Sequence, residues 1–349
     1  MPVPLPAFKT NAGSCSTNSR FRENGMRPAR RNLRWRGRSP LICRRICGAL
    51  TALRAAQSMI DLHVHSTASD GSVSPAALVA LARAKKIRVL ALVDHDTVAG
   101  LSEFYDAAAR SDGAVTAIGG IEISALGCGA GAGAHVHVLG YGVPAHVSES
   151  FARTLADFQA ARDSRGGAIL EKLRSLGFDI SLDEVRVTAQ GEVFGRPHIA
   201  DAMIRRGFVR DKLHAFEEYL GQGAKAYVER DRPTAIEAVR ALRGEGFVPV
   251  LAHPPHMRLP EPLLDRFIQE LRGAGLLGLE THYSTYTSDE TALCQRLAAR
   301  FGLLSTGGSD FHGDSKPDIT LGVGRGHLRV PDALAGKLLD AIARIRDKP

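Results

Sequence analysis

The pattern of apolar and polar positions predicts alternating strands and helices from residue 59 onward. Short runs of apolar, often β-branched residues predict strands at 60–64, 88–93, 115–123 and 135–141. Stretches with apolar positions at helical spacing predict helices at 75–85 and 98–110. Ser74 is expected to cap the first of these helices, with Pro75 at its first position, and Asp96 or Thr97 to cap the second.

Residues 150–222 interrupt this alternation. Their apolar spacing predicts helices at 151–176, 181–188, 197–206 and 211–220, with no strong strand among them. The segment is therefore predicted to be an all-helical insertion. The alternation then resumes with strands at 247–251, 276–281 and 303–307 and helices at 233–245, 261–274, 288–301 and 331–346. Repeated strand–helix units indicate a parallel α/β barrel or an open α/β sheet.

The first 58 residues differ from the rest in composition. They hold twelve basic residues and one acidic residue, a net charge of +11, so the total of +8 leaves −3 for residues 59–349. The extension is interpreted as a disordered basic tail, a targeting segment or the product of a misassigned start codon, since Met59 directly precedes the first strand. We favour the first or last interpretation and exclude residues 1–58 from the fold.

Histidine, aspartate and glutamate residues recur at or near the ends of the predicted strands. These residues are His63 and His65, Asp70, His95, Glu122, His137 and His253, and Asp310 and His312. Taken singly, each has an ordinary structural explanation. Taken together they predict a buried polynuclear metal centre, and hence a hydrolase whose metals activate water.

The first three motifs supply ligands from β-strand ends and from one loop. His63 and His65 are two apart on a strand, so their side chains share one face and suit one metal. Asp70 lies in a polar loop after that strand and could reach a metal, although an aspartate in a turn is common. His95 is the expected ligand in the next motif, with Asp94 beside it expected to orient a ligand histidine.

The remaining motifs suit hard or borderline cations. Glu122 is a charge among apolar neighbours and could bridge two metals. His137 is preferred to His135 as a ligand, and His253 to His256. Histidine and carboxylate ligands without thiolates favour Mn²⁺, Zn²⁺ or Fe²⁺, with Mg²⁺ as a further alternative.

These motifs resemble those of the polymerase-and-histidinol-phosphatase (PHP) family over about residues 59–325. The resemblance rests on His63-Val64-His65-Ser66, Asp70-Gly71, Asp94-His95-Asp96-Thr97, Glu122, His137, Ala252-His253-Pro254 and Gly308-Ser309-Asp310-Phe311-His312. It implies a distorted (β/α)7 barrel, formed by residues 59–149 and 223–349, with a site for three metals at the C-terminal face. One metal would take His63, His65, Glu122 and Asp310. A second would share Glu122 and take His137 and His253, and the third would take Asp70, His95 and His312.

The helical insertion carries Gly195-Arg196-Pro197-His198. With this motif it resembles the insertion of family members that act on nucleoside 3′,5′-bisphosphates or degrade short RNA from the 5′ end. In those relatives the insertion covers the mouth of the barrel. The resemblance makes Arg196 the expected phosphate clamp, because a guanidinium makes bidentate contacts. His198 could contact the phosphate or protonate the leaving oxygen, whereas Arg196-Pro197 could equally be a helix start. Lys225 is a weaker candidate for phosphate binding.

The leading hypothesis is a metal-dependent phosphoesterase in which a metal-activated hydroxide attacks phosphorus in line. The catalytic residues would be His63, His65, Glu122, Asp310, Arg196 and His198, with three divalent ions, Mn²⁺ first among them. The expected substrate is a small nucleoside bisphosphate or a short oligoribonucleotide. The rival hypotheses are a histidinol-phosphatase-like enzyme, a non-catalytic PHP module, and an RNA-tethering protein that binds through its basic extension.

Composition and charge narrow the expected partners and location. No apolar run is long enough for a membrane span, and few cysteines lie beyond the extension, so a cytoplasmic protein without membrane contact is expected. The slightly acidic residues 59–349 argue against binding long duplex DNA. The oligomeric state stays open, with a monomer among the alternatives.

Overall fold

Seven strands form one sheet in which each strand pairs with the next along the chain. The computed structural model describes residues 59–189, 195–228 and 232–347, so every prediction for the first 58 residues lies outside the described residues. The strands are Met59–Val64 (β1), Ile87–Leu92 (β2), Thr116–Leu126 (β3), His135–Tyr141 (β4), Val248–Leu251 (β5), Gly278–Tyr283 (β6) and Leu304–Gly308 (β7). Each agrees with a predicted strand to within a few residues.

The sheet curls into a nearly closed barrel, which confirms the predicted α/β barrel. Its first and last strands approach each other at the residues that follow them. The His65 N–H donates to the Phe311 carbonyl at 2.9 Å, and the Asp310 N–H donates to the His63 carbonyl at 2.8 Å. The closure therefore joins the two segments that carry predicted metal ligands.

Strand β4 runs opposite to the other six. It pairs antiparallel with both β3 and β5, whereas the remaining neighbours are parallel. The expectation of a parallel barrel is thus wrong for this strand. The reason is the short connection at 127–134, because a parallel pair needs a crossover of about a dozen residues or more. The reversal brings the beginning of β4, and not its end, to the face that carries the predicted ligands.

Ten α-helices are assigned among the described residues. They are Pro75–Ala84 (α1), Leu101–Ala109 (α2), Glu149–Ser175 (α3), Leu182–Ala189 (α4), Arg196–Arg205 (α5), Lys212–Ala215 (α6), Ala235–Gly244 (α7), Glu261–Ala274 (α8), Ser288–Phe301 (α9) and Ala333–Arg346 (α10). A π-helical turn, Phe216–Leu220, follows α6 directly. None of the described helices is both long and apolar enough to cross a membrane.

The ends of the first two helices test the predicted caps. Ser74 caps α1 as expected, accepting a hydrogen bond from the Ala77 N–H. The predicted cap of α2 is wrong, because that helix begins at Leu101 after Gly100. Asp96 instead has a positive φ of 54° and accepts the Ser124 N–H at 2.8 Å. Its carboxylate therefore ties the end of β2 to β3.

Three clusters of buried apolar side chains hold the structure together. The largest joins the sheet to α1, α2, α7, α8, α9 and the first part of α3, and a second joins it to Leu334, Leu338 and Ile342 of α10. The third lies within the insertion, where Leu173 of α3 and Met203 of α5 belong to the same buried cluster. The insertion thus has apolar packing of its own. The domain boundaries at 149/150 and 222/223 stay a prediction.

Gly308 permits the close approach of β7 and β1. A Cβ at this position would overlap the backbone nitrogen and the Cβ of His63. Only hydrogen fits between the two strands here, so this glycine fixes the distance between β7 and a predicted ligand.

Gly308→Ala is expected to destabilise the protein by about 1–3 kcal/mol, the usual cost of overpacking a filled interior. Urea unfolding at equilibrium measures the change. Gly336→Ala is the matched control, because a Cβ there meets nothing within 4 Å and alanine is favoured inside a helix. Equal stability of the Gly308→Ala protein and the wild type would contradict the assigned contact.

Candidate metal centre and substrate cavity

Most of the predicted ligands lie at one rim of the barrel, each on or just after a strand. Strand β1 carries His63 and leads into His65, and the residues after β5 and β7 supply His253 and Asp310. Glu122 lies within β3 and not near its end, because β3 extends to Leu126. The chain beyond β2 continues alongside β3, and His95 forms an isolated parallel β-bridge with Glu122 through the backbone.

Glu122 is the centre of this arrangement. Its side chain is 1% exposed and its two oxygens face five imidazoles. Oε2 lies 3.2 Å from His63 Nε2, 3.0 Å from His65 Nε2 and 3.3 Å from His95 Nδ1. Oε1 lies 2.8 Å from His137 Nδ1 and 3.2 Å from His253 Nε2. A carboxylate shared in this way suits a bridging ligand.

Three groups of side chains bring their ligand atoms within 4.8 Å of one another. The groups are His63, His65, Glu122 and Asp310; His65, Asp70, His95 and His312; and His95, Glu122 and His137. The first equals the set expected for one metal, and the second contains the set expected for another. His253 is outside the third group but contacts Glu122. All nine predicted ligands therefore lie in one continuous cluster.

The donors of the cluster fit a metal centre. His65 Nδ1 is buried and makes no hydrogen bond to the described residues, and His95 Nδ1 lies 3.3 Å from Glu122 Oε2 without forming a hydrogen bond to it. A buried polar atom of this kind is unfavourable unless something else satisfies it. Oxygen and imidazole donors without thiolate are those that Mn²⁺, Zn²⁺ and Fe²⁺ accept.

Two pKa shifts show how strongly the cluster is charged. Burial opposes the charged forms of both His63 and Asp310. The Glu280 and Glu122 carboxylates nevertheless raise the pKa of His63 well above its usual value, while Lys316 is the foremost group holding the pKa of Asp310 well below its own. Metal binding to His63 is therefore expected to compete with protonation of its imidazole.

Several supporting residues were not predicted from sequence. Glu280, on β6, accepts from His63 Nδ1 at 2.9 Å. The Tyr283 hydroxyl and the Lys316 ammonium both donate to Oδ2 of Asp310, the latter at 2.6 Å. A charged residue inside the strand 278–283 is the signal that could have indicated Glu280. The partners of Asp310 gave no such signal, because neither Tyr283, 27 residues before it, nor Lys316, six residues after it, has a spacing that marks a contact.

Asp94 has a different role from the one expected. Its carboxylate accepts the Ser66 N–H at 2.7 Å and the Ser66 hydroxyl at 2.6 Å, and it also accepts the Ser69 hydroxyl. It therefore holds the loop that carries Asp70, whereas the sequence suggested that it would orient a histidine. His135 and His256, which the sequence disfavoured as ligands, belong to none of the three groups found among the described residues.

A cavity of about 160 Å³ lies between the barrel and the insertion. The barrel wall consists of Asp70, His95, Ser124 and His137. The insertion wall includes Arg165, Arg196, Ile169, Ile199 and Phe216, and Arg232 lies just before α7. One cavity is thus lined both by predicted metal ligands and by three guanidinium groups.

Aromatic rings and carbonyls hold two of these arginines. Arg196 donates to the Leu220 carbonyl at 2.9 Å, and its guanidinium lies 5.6 Å from the ring centre of Phe216 and 5.8 Å from that of Tyr227. Arg165 lies 5.7 Å from the same Tyr227 ring centre and donates to the Val228 carbonyl at 2.9 Å. Sequence reasoning identified Arg196 but missed Arg165 and Arg232, which lie far from it along the chain.

The other two predicted substrate contacts do not line this cavity. His198 is buried, and its Nδ1 accepts the Gly195 N–H at 3.0 Å, so it caps the helix that begins with Arg196. Lys225 is 56% exposed and forms an ion pair with Glu218 at 2.8 Å. A catalytic role for His198 and a phosphate contact for Lys225 stay predictions.

Comparison with known proteins identifies the class. The PHP domain profile matches residues 61–160. The chain is 36% identical to a 5′-3′ exoribonuclease of Haemophilus influenzae over 72% of this chain and 89% of that protein. It is 32% identical to a 3′,5′-nucleoside bisphosphate phosphatase of Chromobacterium violaceum over 72% and 87% of the two chains. A solved structure from Bifidobacterium adolescentis, described as a metal-dependent phosphoesterase, superposes with a TM-score of 0.70 at 32% identity, covering 82% of this chain and 97% of its own.

The chain belongs to the PHP family, as the sequence motifs indicated. It is a metal-dependent phosphoesterase, a hydrolase that acts on phosphate esters.

Glu122→Gln is expected to lower metal affinity by at least about tenfold, because the neutral amide lacks the negative charge and one of the two oxygens with which a carboxylate could bridge two cations. Metal content after gel filtration in metal-free buffer, measured by mass spectrometry, tests this. Glu103→Gln is the control, since Glu103 is exposed and accepts the Ala76 N–H at the start of a helix. Wild-type metal content in the Glu122→Gln protein would refute the bridging role.

Proposed function

We propose that the protein hydrolyses small nucleotides that carry two phosphate groups, or the 5′ end of a short oligoribonucleotide. The observation that carries this proposal is the shared cavity, which has metal-ligating side chains in its barrel wall and Arg196, Arg165 and Arg232 elsewhere in its lining. A substrate with two anionic groups could place one group at the metal ligands and the other against the arginines. The names of the two relatives from Haemophilus and Chromobacterium support the same substrate class.

The chain's own residues divide into metal ligands and substrate contacts. We infer that the nine residues of the cluster hold up to three divalent ions, Mn²⁺ first among the candidates. Bound there, such ions would supply Lewis acidity and lower the pKa of a bound water. Arg196 would contact the phosphate that is not cleaved, and its aromatic neighbours and the Leu220 carbonyl would keep the guanidinium in place.

The histidinol phosphatase hypothesis fits the cavity less well. Histidinol phosphate has one phosphate group and a cationic amine, so it would bring a positive charge into a cavity lined by three guanidinium groups. A non-catalytic module is also disfavoured, because every ligand expected from the sequence is present in the cluster.

A comparison of substrates tests the proposed function directly. The full-length protein, loaded with Mn²⁺, would be given 3′-phosphoadenosine 5′-phosphate, histidinol phosphate and a 5′-phosphorylated RNA pentamer. We expect phosphate release from the bisphosphate, or mononucleotide release from the RNA, with kcat/KM at least about tenfold above that for histidinol phosphate. Preferred turnover of histidinol phosphate would overturn the proposal.

Arg196→Ala is expected to lower kcat/KM for the bisphosphate by roughly 10- to 100-fold, the usual effect of losing hydrogen bonds to a charged group. Hydrolysis of a simple phosphate monoester should change much less, because it lacks the second phosphate. An equal loss for both substrates would show that Arg196 does not recognise the second phosphate.

Arg206→Ala is the matched control for this variant. Arg206 also belongs to the insertion, lies 5.7 Å from the ring centre of Phe208 and donates to the Asp179 carbonyl at 3.0 Å. It is not among the residues that line the cavity. We expect this variant to hydrolyse both substrates at wild-type rates.

A further inference from the structure

We propose that Glu280 is a positioning residue that fixes two predicted metal ligands, His63 and His253, at the same time. Glu280 lies on β6 and is fully buried. It contributes to none of the ligand groups found among the described residues, so it acts through its neighbours. The inference rests on the ligand roles proposed for the two histidines.

The first contact fixes the protonated nitrogen of His63. Oε1 of Glu280 lies 2.9 Å from His63 Nδ1. A carboxylate can only accept a hydrogen bond, so Nδ1 must carry the proton. This leaves Nε2, which lies 3.2 Å from Glu122, as the nitrogen available to a metal.

The second contact fixes the backbone of His253. Oε2 of Glu280 accepts the His253 N–H at 2.9 Å. His253 has φ 28° and ψ 55°, a left-handed backbone that a residue with a side chain rarely adopts. This turn directs the His253 ring to Glu122, 3.2 Å away. The hydrogen bond therefore stabilises the strained conformation on which the ring position depends.

The two contacts together require two acceptor oxygens on one side chain, which among common side chains only a carboxylate has. Both partners are donors, and each uses a separate oxygen of Glu280. Glutamine has the same shape but only one acceptor oxygen, so its amide nitrogen would face one of the two N–H groups. We therefore expect Glu280→Gln to disturb one histidine even if the protein folds normally.

Metal binding by the full-length Glu280→Gln protein is the main test. We expect affinity for Mn²⁺ and Zn²⁺ to fall by about 10- to 100-fold, the range seen when a partner of a metal-bound histidine is lost. Glu270→Gln is the matched control, because Glu270 also accepts a backbone N–H, from Ala130 at 3.1 Å, but is not part of the ligand cluster. Unchanged affinity in a folded Glu280→Gln protein would overturn the proposal. Metal affinity is measured without substrate, so this test stays valid even if the proposed function is wrong.

A second readout separates positioning from general stability. In Zn²⁺-loaded protein with ¹⁵N-labelled histidine, long-range NMR spectra report which ring nitrogen of His63 carries the proton. We expect Nδ1–H in the wild type, with altered His63 or His253 ring signals in Glu280→Gln. If that variant does not fold, Glu280→Asp replaces it, and its shorter side chain should lose one contact and weaken metal binding. Nδ1 without a proton in the wild type would refute the inference whatever the variants do.

Discussion

The buried carboxylate of Glu122 is the constraint on which the rest of the site depends. A carboxylate removed from water is unfavourable unless charges and hydrogen bonds compensate it. Five imidazoles within 3.3 Å of its oxygens provide that compensation. They come from four separate segments of the chain, so the barrel must bring all four to one point. The same crowding of donors and acceptors makes the position suitable for cations.

Several unusual features of the fold serve this convergence. The reversed β4 presents His137 from the start of a strand, beside β3, where a parallel strand would have presented its end. Asp96, His253 and Asp310 all have positive φ angles, although none is a glycine. Backbone strain of this kind persists only where the surroundings enforce it. Asp96 is held by β3 and His253 by Glu280, so these supports of the site lie in strands and not in loops.

The sequence predicted which histidines and carboxylates cluster, because each lies in a local pattern, such as His63 and His65 two apart on a strand. The strand and helix order followed from periodicity for the same reason. The direction of β4 depended on the length of the loop 127–134, and the periodic pattern of apolar residues carries no information about loop length. Glu280 is visible in the sequence as a charged residue inside a strand, but its contact with His63, 217 residues away, is not. The cavity likewise brings together Arg165, Arg196 and Arg232 from separate segments, so no local pattern could reveal their shared position.

The barrel and the insertion contribute different chemistry to one cavity. The barrel supplies anionic and imidazole groups held by strands, whereas the insertion supplies guanidinium and apolar groups held by its own packed helices. The insertion has an apolar cluster of its own, while the first part of α3 packs into the barrel cluster through Phe151 and Leu155. On the proposed function, the barrel wall would serve metal binding and the insertion wall substrate selection. The π-helical turn after α6 belongs to the insertion wall, since its first residue, Phe216, and its last, Leu220, both hold Arg196.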